Sequence, residues 1–200
     1  SSPNLDGGVR AVFALGRVSA PNFSNIIEFV TTATNGDSAD FGDLTDPRGM
    51  GGAFSSNVFG YFNGGQSSGG TSPINRSDRI TIATTGNATD SGNLQSNHMA
   101  SVGLSNATRG IDAGGFNPSK TDQIGYITMS SGGDFVAATN TMRAASTPTR
   151  GFFAGGNTGS QTNTIQFISF QTSGTASDFG DLQNTADELQ GGCSNGHGGL

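Results

Sequence analysis

The chain has 200 residues, with 9 Lys and Arg against 15 Asp and Glu; the resulting net charge of −6 and pI near 4.6 leave no basic footprint for neutralising nucleic-acid phosphates. One cysteine, Cys193, excludes an intrachain disulfide, and with no apolar run approaching 18 residues nothing reads as a transmembrane span or a signal peptide. Charged residues are only 12% and apolar ones 32%, with 33 glycines and abundant Ser, Thr and Asn, so turn-forming residues take the place of charge in a chain with enough apolar surface to fold. The first residue is Ser rather than Met, as expected of a processed chain or of part of a longer gene product.

Ser1 to Gly8 is a polar lead-in without periodicity. A first unit follows: Val9-Arg10-Ala11-Val12-Phe13-Ala14-Leu15-Gly16, a loop with Pro21, the strand-like run Ile26 to Thr31, the turn Thr34-Asn35-Gly36-Asp37, and Asp40-Phe41-Gly42-Asp43-Leu44, closed by Pro47-Arg48. The second runs through Phe59-Gly60-Tyr61-Phe62-Asn63-Gly64-Gly65, a Gly/Ser-rich loop from Gln66 to Ser72, Arg79 to Gly86, and Asp90-Ser91-Gly92-Asn93-Leu94. The third has Arg109 to Gly115, Ile124 to Met129 and a shortened Asp134-Phe135; the fourth, Arg150 to Asp187, is the best preserved. The marker residues Asp40, Asp90, Asp134 and Asp178 are spaced by 50, 44 and 44. A period of that length built from short strands predicts propeller blades, and frequent glycine with no sustained 3.6-residue pattern argues against helices.

Small apolar patches at Met50 to Phe54, Met99 to Leu104, Met142 to Ser146 and Leu189 to Ser194 supply a leading strand for each unit. The first unit lacks one, and the last patch has no strand after it. The fold expected is therefore all-β: a small β-propeller of about four four-stranded blades, with blades near 9–48 completed by 188–200, 49–98, 99–143 and 144–187. The C-terminal patch, Gln190 to Ser194, would close the ring non-covalently beside Phe13.

An arginine, an aromatic strand ending in Gly-Gly, a polar loop, a strand of the type Ile-x-Phe-Ile-x-Phe and an aromatic before a Leu together resemble the kelch repeat, with Phe41, Phe135 and Phe179 where kelch units usually carry Trp. RGFFAGG…NTIQFISFQTSGTASDFGDL and RITIATTGNATDSGNL are more specifically similar to repeats in structural proteins of tailed phages, particularly those of marine cyanobacteria. The resemblance covers nearly the whole chain. It implies a non-enzymatic virion component on the phage particle surface: a capsid decoration, a neck protein or a tail-fibre protein, with other virion proteins as partners.

No catalytic, cofactor-binding or metal site is expected. Paired carboxylates in Asp-Phe-Gly-Asp could bind calcium, but Asp43 becomes Asn93 and is lost from the third unit, as suits a turn-forming Asp bonded to backbone amides. The Gly-Gly pairs lack the Lys-Ser/Thr of a phosphate loop, and close strand packing explains them. Arg10, Arg109 and Arg150, with Val58 and His197 taken as equivalents, could ring a channel mouth for an anion; satisfying carbonyls in the same or a neighbouring blade is the simpler role. His98, His197 and Cys193 are too few for zinc, and Cys193 reads as a small buried residue of the closure patch. Asn22, Asn75, Asn87 and Asn106 open Asn-x-Ser/Thr triplets that such a composition generates by chance. The alternative function is a carbohydrate-binding adhesin for host surface glycans, with Tyr61 or Tyr126 as stacking residues. Self-association into a homo-oligomer is expected from low charge and polar β edges.

Overall fold

The computed structural model describes residues 9–20, 22–106, 108–117, 122–123, 127–128, 135, 139–172, 174–186 and 191–194. All regular structure among them is β, arranged as four antiparallel meander sheets with three small two-stranded sheets. The second sheet runs in the order Gly52–Ser55, Phe59–Asn63, Ile74–Thr81, Thr89–His98, and the fourth in the order Arg143–Ser146, Arg150–Ala154, Thr164–Ser169, Ser177–Asp181. The first contains Arg10–Phe13, Ile26–Thr31 and Ala39–Asp43, so it lacks a leading strand; the third contains Val102–Ser105, Gly110–Ala113 and Ile127–Thr128. These sheets coincide with the four units read from the sequence.

Local chemistry sets each hairpin. At the first turn of the second, third and fourth sheets a side-chain oxygen accepts the next free amides: Ser56 Oγ from Phe59 N at 3.0 Å, Asn106 Oδ1 from Arg109 N at 2.8 Å, Thr147 Oγ1 from Arg150 N at 3.0 Å. At the last strand, Asp40, Asp90 and Asp178 each accept from the amide of the glycine two residues on, at 3.1, 2.8 and 3.2 Å. Each of these turns coincides with a register shift, so Asp-x-Gly is a bulge device that bends the outer strand.

Each sheet has two faces, and alternation decides what they bury. Val12, Ile27, Phe29 and Phe41 of the first sheet pack against Phe62, Ile80 and Ala88 of the second. Leu104 and Ile111 of the third, with Phe135 of the same unit, pack against Phe153, Ile168, Phe170 and Ala176 of the fourth unit. The core is thus two separate apolar clusters, one per pair of sheets. Burying a wedge such as Phe41, 2% exposed, contributes about 1.5–3 kcal/mol.

The leading strands of the second, third and fourth sheets follow one another side by side. A serine ladder joins them: Ser105 Oγ donates to the Ser55 carbonyl at 2.7 Å, Ser146 Oγ to the Ser105 carbonyl at 3.0 Å, and Ser194 Oγ to the Ser146 carbonyl. Just before each strand, Met50, Ala100 and Thr141 share a positive φ, and the Ala100 amide donates to Met50 O at 2.7 Å while that of Thr141 donates to Ala100 O at 3.2 Å.

The ladder corrects the expected closure. Residues 191–194 continue the series beside Ala144 to Ser146, and no ladder joins them to Arg10–Phe13 among the described residues. Phe13 is 56% exposed and Phe179 is 55% exposed, so the first and fourth sheets do not cover each other's free faces. Cys193 is exposed rather than buried, and among the described residues no strand pairs with it as Phe152 pairs with Ala145. Residues 188–190 and 195–200, together with Tyr126, Asp134 and His197, lie outside the described residues.

Candidate functional site

The contact between the second and third sheets differs from the other two. In place of an apolar cluster there is a cleft of about 300 Å³, walled by Phe54 and Tyr61 from one sheet and by Asn106, Thr108, Arg109 and Gly110 from the other. The cause is one residue. Phe41, from its bulge, and Phe135 fill the corresponding spaces, whereas the second unit carries Ser91 between Asp90 and Gly92, and Ser91 lines the cleft. Phe54 and Tyr61 stack with ring centroids 5.2 Å apart, and any side chain at Gly110 would collide with the Phe54 ring, so the glycine lets the third sheet rest on that ring.

Several polar groups of the cleft are already engaged. Asn106 Nδ2 donates to Pro148 O at 2.8 Å, and Arg109 Nη1 donates to Phe170 O at 2.9 Å and to Thr172 O at 3.3 Å. The Tyr61 and Ser91 hydroxyls make no hydrogen bond among the described residues. An aromatic wall with two available hydroxyls suits a neutral polar ligand with one apolar face.

Two of the recurring arginines, Arg10 and Arg109, are staples between sheets. Arg10 Nη1 donates to Ile82 O of the second sheet at 2.9 Å, as Arg109 does to Phe170 of the fourth. Arg10 also stands over the Phe29 ring at 4.7 Å and Arg150 over Phe167 at 5.0 Å. In the second sheet the pair is inverted, with Arg79 over Phe59 at 4.7 Å. The equivalent of the arginines is therefore Phe59, one residue beyond Val58.

Two buried acid–base pairs complete the interior. Arg48 and Asp78 are both inaccessible and meet at 2.9 Å; Arg48 Nε and Nη2 also donate to Gly64 O and Phe62 O, at 3.1 and 3.0 Å. Thr45 donates to the same carboxylate from N and Oγ1, each at 2.8 Å. His98, which precedes the third sheet as Arg48 precedes the second, meets Asp112 of the third sheet with Nε2 and Oδ1 3.2 Å apart, both again buried. Burial pushes the Asp112 carboxyl above its ordinary value, while His98, Ser101 and Asn63 pull it back. These are strand-tying pairs in a packed interior.

The remaining candidates are dispersed in structural roles. Asp40 and Asp178 serve their own turns, and the Asp43 amide is bound by Asn87 Oδ1 of the neighbouring sheet at 3.1 Å. Asn75 Nδ2 donates to Leu94 O at 3.4 Å. Among the described residues no three His, Cys, Asp or Glu gather as metal ligands. The Gly-Gly pairs carry positive φ throughout, 56° and 99° at Gly64 and Gly65, and a side chain at Gly65 would strike the Gly49 carbonyl. The cleft and the two pairs escaped the sequence reading, although Ser91 standing where Phe recurs was a visible signal.

No family model matches the chain, and no curated protein matches it. Among solved structures it is similar to one titled "Structure of YjhT", with a TM-score of 0.71 at 10% identity, covering 90% of this chain and 64% of that one. The chain thus spans just under two thirds of the length of that structure. At this identity the likeness bears on the fold alone, an all-β arrangement of several antiparallel sheets.

Proposed function

We propose that the chain is a non-enzymatic β-propeller module of kelch-like units that serves as a structural component of a tailed-phage particle, in assembly or surface contact. The observation that carries this reading is the fourfold recurrence of one meander sheet with the leading strands side by side, each turn held by its own Ser, Thr, Asn or Asp. Arg48–Asp78 holds its strands by a buried ion pair and His98–Asp112 by a buried hydrogen-bonded contact, as suits a rigid scaffold. The likeness of RGFFAGG and DFGDL to repeats of phage structural proteins supplies the particle context. Mass spectrometry of purified particles tests it: the chain should be present at a fixed ratio to the major capsid protein, and its absence would sink the virion assignment.

The cleft favours a second reading, a carbohydrate-binding propeller. A sugar ring has the apolar face and the hydroxyl edge that Phe54, Tyr61 and Ser91 would meet. A glycan array is expected to show selective binding by the wild type that Tyr61→Ala removes; uniform signals across glycans would refute it.

A further inference from the structure

Among the described residues two sheet faces lack a neighbour, and they are the two halves of an interface that the chain already makes twice. In the first and third units a core Phe and an arginine face the following sheet, which meets them with a Phe of its second strand, an Ile of its third strand and a small residue opposite that Ile. The first instance is Phe41 and Arg10 against Phe62, Ile80 and Ala88, with the Arg10 bond to Ile82 O. The second is Phe135 and Arg109 against Phe153, Ile168 and Ala176, with the Arg109 bond to Phe170 O.

The fourth sheet presents the first half of this interface to solvent. Phe179 is 55% exposed and lies edge-on to Phe152 and Phe167, with centroids 5.1 and 5.9 Å apart. Arg150 already stands over Phe167 as Arg10 stands over Phe29, and its guanidinium makes no hydrogen bond among the described residues. The first sheet presents the second half. By register Phe13, Val30 and Ser38 hold the positions of Phe62, Ile80 and Ala88, and Phe13 and Ile26 on that face are 56% and 51% exposed.

We infer that the outer face of the fourth sheet, centred on Phe179 and Arg150, docks the free face of the first sheet of a second copy of this chain, centred on Phe13 and Val30. The occupant follows from continuity with the internal interfaces: this chain's own first sheet carries the matching residues in the matching register. Arg150 would donate to the carbonyl of Thr32, the position of Ile82 and Phe170. The contact is head-to-tail, so each copy keeps one free face of each kind and the association propagates into a ring or a filament. It stands on the two sheet faces and holds whether or not the chain belongs to a virion.

Analytical ultracentrifugation over a dilution series tests it with the wild type, Phe13→Asp, Phe179→Asp and Arg150→Glu. The wild type is expected to exceed the 20.2 kDa monomer mass, whereas each variant alone stays monomeric and still unfolds cooperatively, with the midpoint of the wild type at high dilution. Mixing Phe13→Asp with Phe179→Asp leaves one intact face of each kind, so a species of twice the monomer mass forms and grows no further. Arg150→Glu gives the same result as Phe179→Asp and stands in for it should that variant misfold; Ile26→Lys does so for Phe13→Asp. A wild type monomeric at every concentration overturns the inference, whether its own ends close on each other or both faces stay bare. So does a mixture that fails to pair, or assembly that survives all the substitutions.

Discussion

Arg48 and Asp78 meet at 2.9 Å with neither side chain reaching solvent. The guanidinium spans the strand pair through the carbonyls of Phe62 and Gly64, so one side chain links the segment before the leading strand to the middle of its sheet. Removing only the cation leaves a carboxylate buried without its countercharge, which costs about 3–5 kcal/mol. Arg48→Met is expected to lower the unfolding free energy obtained by urea denaturation by that amount. Replacing both partners, Arg48→Met with Asp78→Leu, should recover most of it, because desolvation of the pair then disappears together with its attraction. Equal losses in the single and double variants would show that the bonds to the carbonyls, rather than the ion pair, matter.

Asp112 predicts an inverted pH response. Its carboxyl titrates above the ordinary value of 3.8 because burial disfavours the anion, against the opposing pull of His98, Ser101 and Asn63. The folded state therefore holds a proton that the unfolded state has released. This group's stabilising contribution is complete below the unfolded value and is lost as pH rises through the folded one. Asp112→Asn removes that slope. In unfolding curves taken from acid toward neutrality, the variant should gain on the wild type as pH increases; a difference that shrinks with pH would reverse the assignment.

The cleft predicts the effect of restoring a missing wedge. Ser91→Phe places in the second unit the ring that Phe41 and Phe135 supply in the first and third. Burying it between the second and third sheets should raise stability by about 1.5–3 kcal/mol. It should also abolish any glycan binding that depends on Tyr61. A higher melting temperature with ligand binding intact would place the ligand elsewhere on the surface.

The parts of the fold legible in the sequence were those that each unit repeats for itself. Asp40, Asp90 and Asp178 bond to a glycine two residues away, so their turns are local and their spacing exposes them. The leading strands were legible for the same reason, down to the one missing from the first sheet. The acid–base pairs were not, because the acid changes strands between units: Asp78 lies on a third strand and Asp112 on a second, at a position where Phe62 and Phe153 are core residues. Closure onto Phe13, which is not seen among the described residues, was not legible because an unpaired strand at each end does not fix the distance between the end sheets.

Leu15 is the residue that most plainly departs from its equivalents. Its φ of 67° matches the 56°, 68° and 64° of Gly64, Gly114 and Gly155, so a leucine holds a turn that the other units give to glycine. The left-handed conformation costs an L-residue about 1–2 kcal/mol, yet Leu15 also packs against the cluster of the first two sheets. Leu15→Gly relieves the backbone and loses the packing; Leu15→Ala loses nearly the same packing and keeps the strain. The glycine variant is therefore expected to be the more stable of the two by about 1 kcal/mol, reversing the usual preference for alanine over glycine. Ala100, with φ of 58° before its leading strand, gives the test without a packing change: Ala100→Gly should stabilise the fold by a similar amount. Chemical denaturation of the three variants decides it, and an alanine at position 15 as stable as the glycine would mean that Leu15 carries no strain.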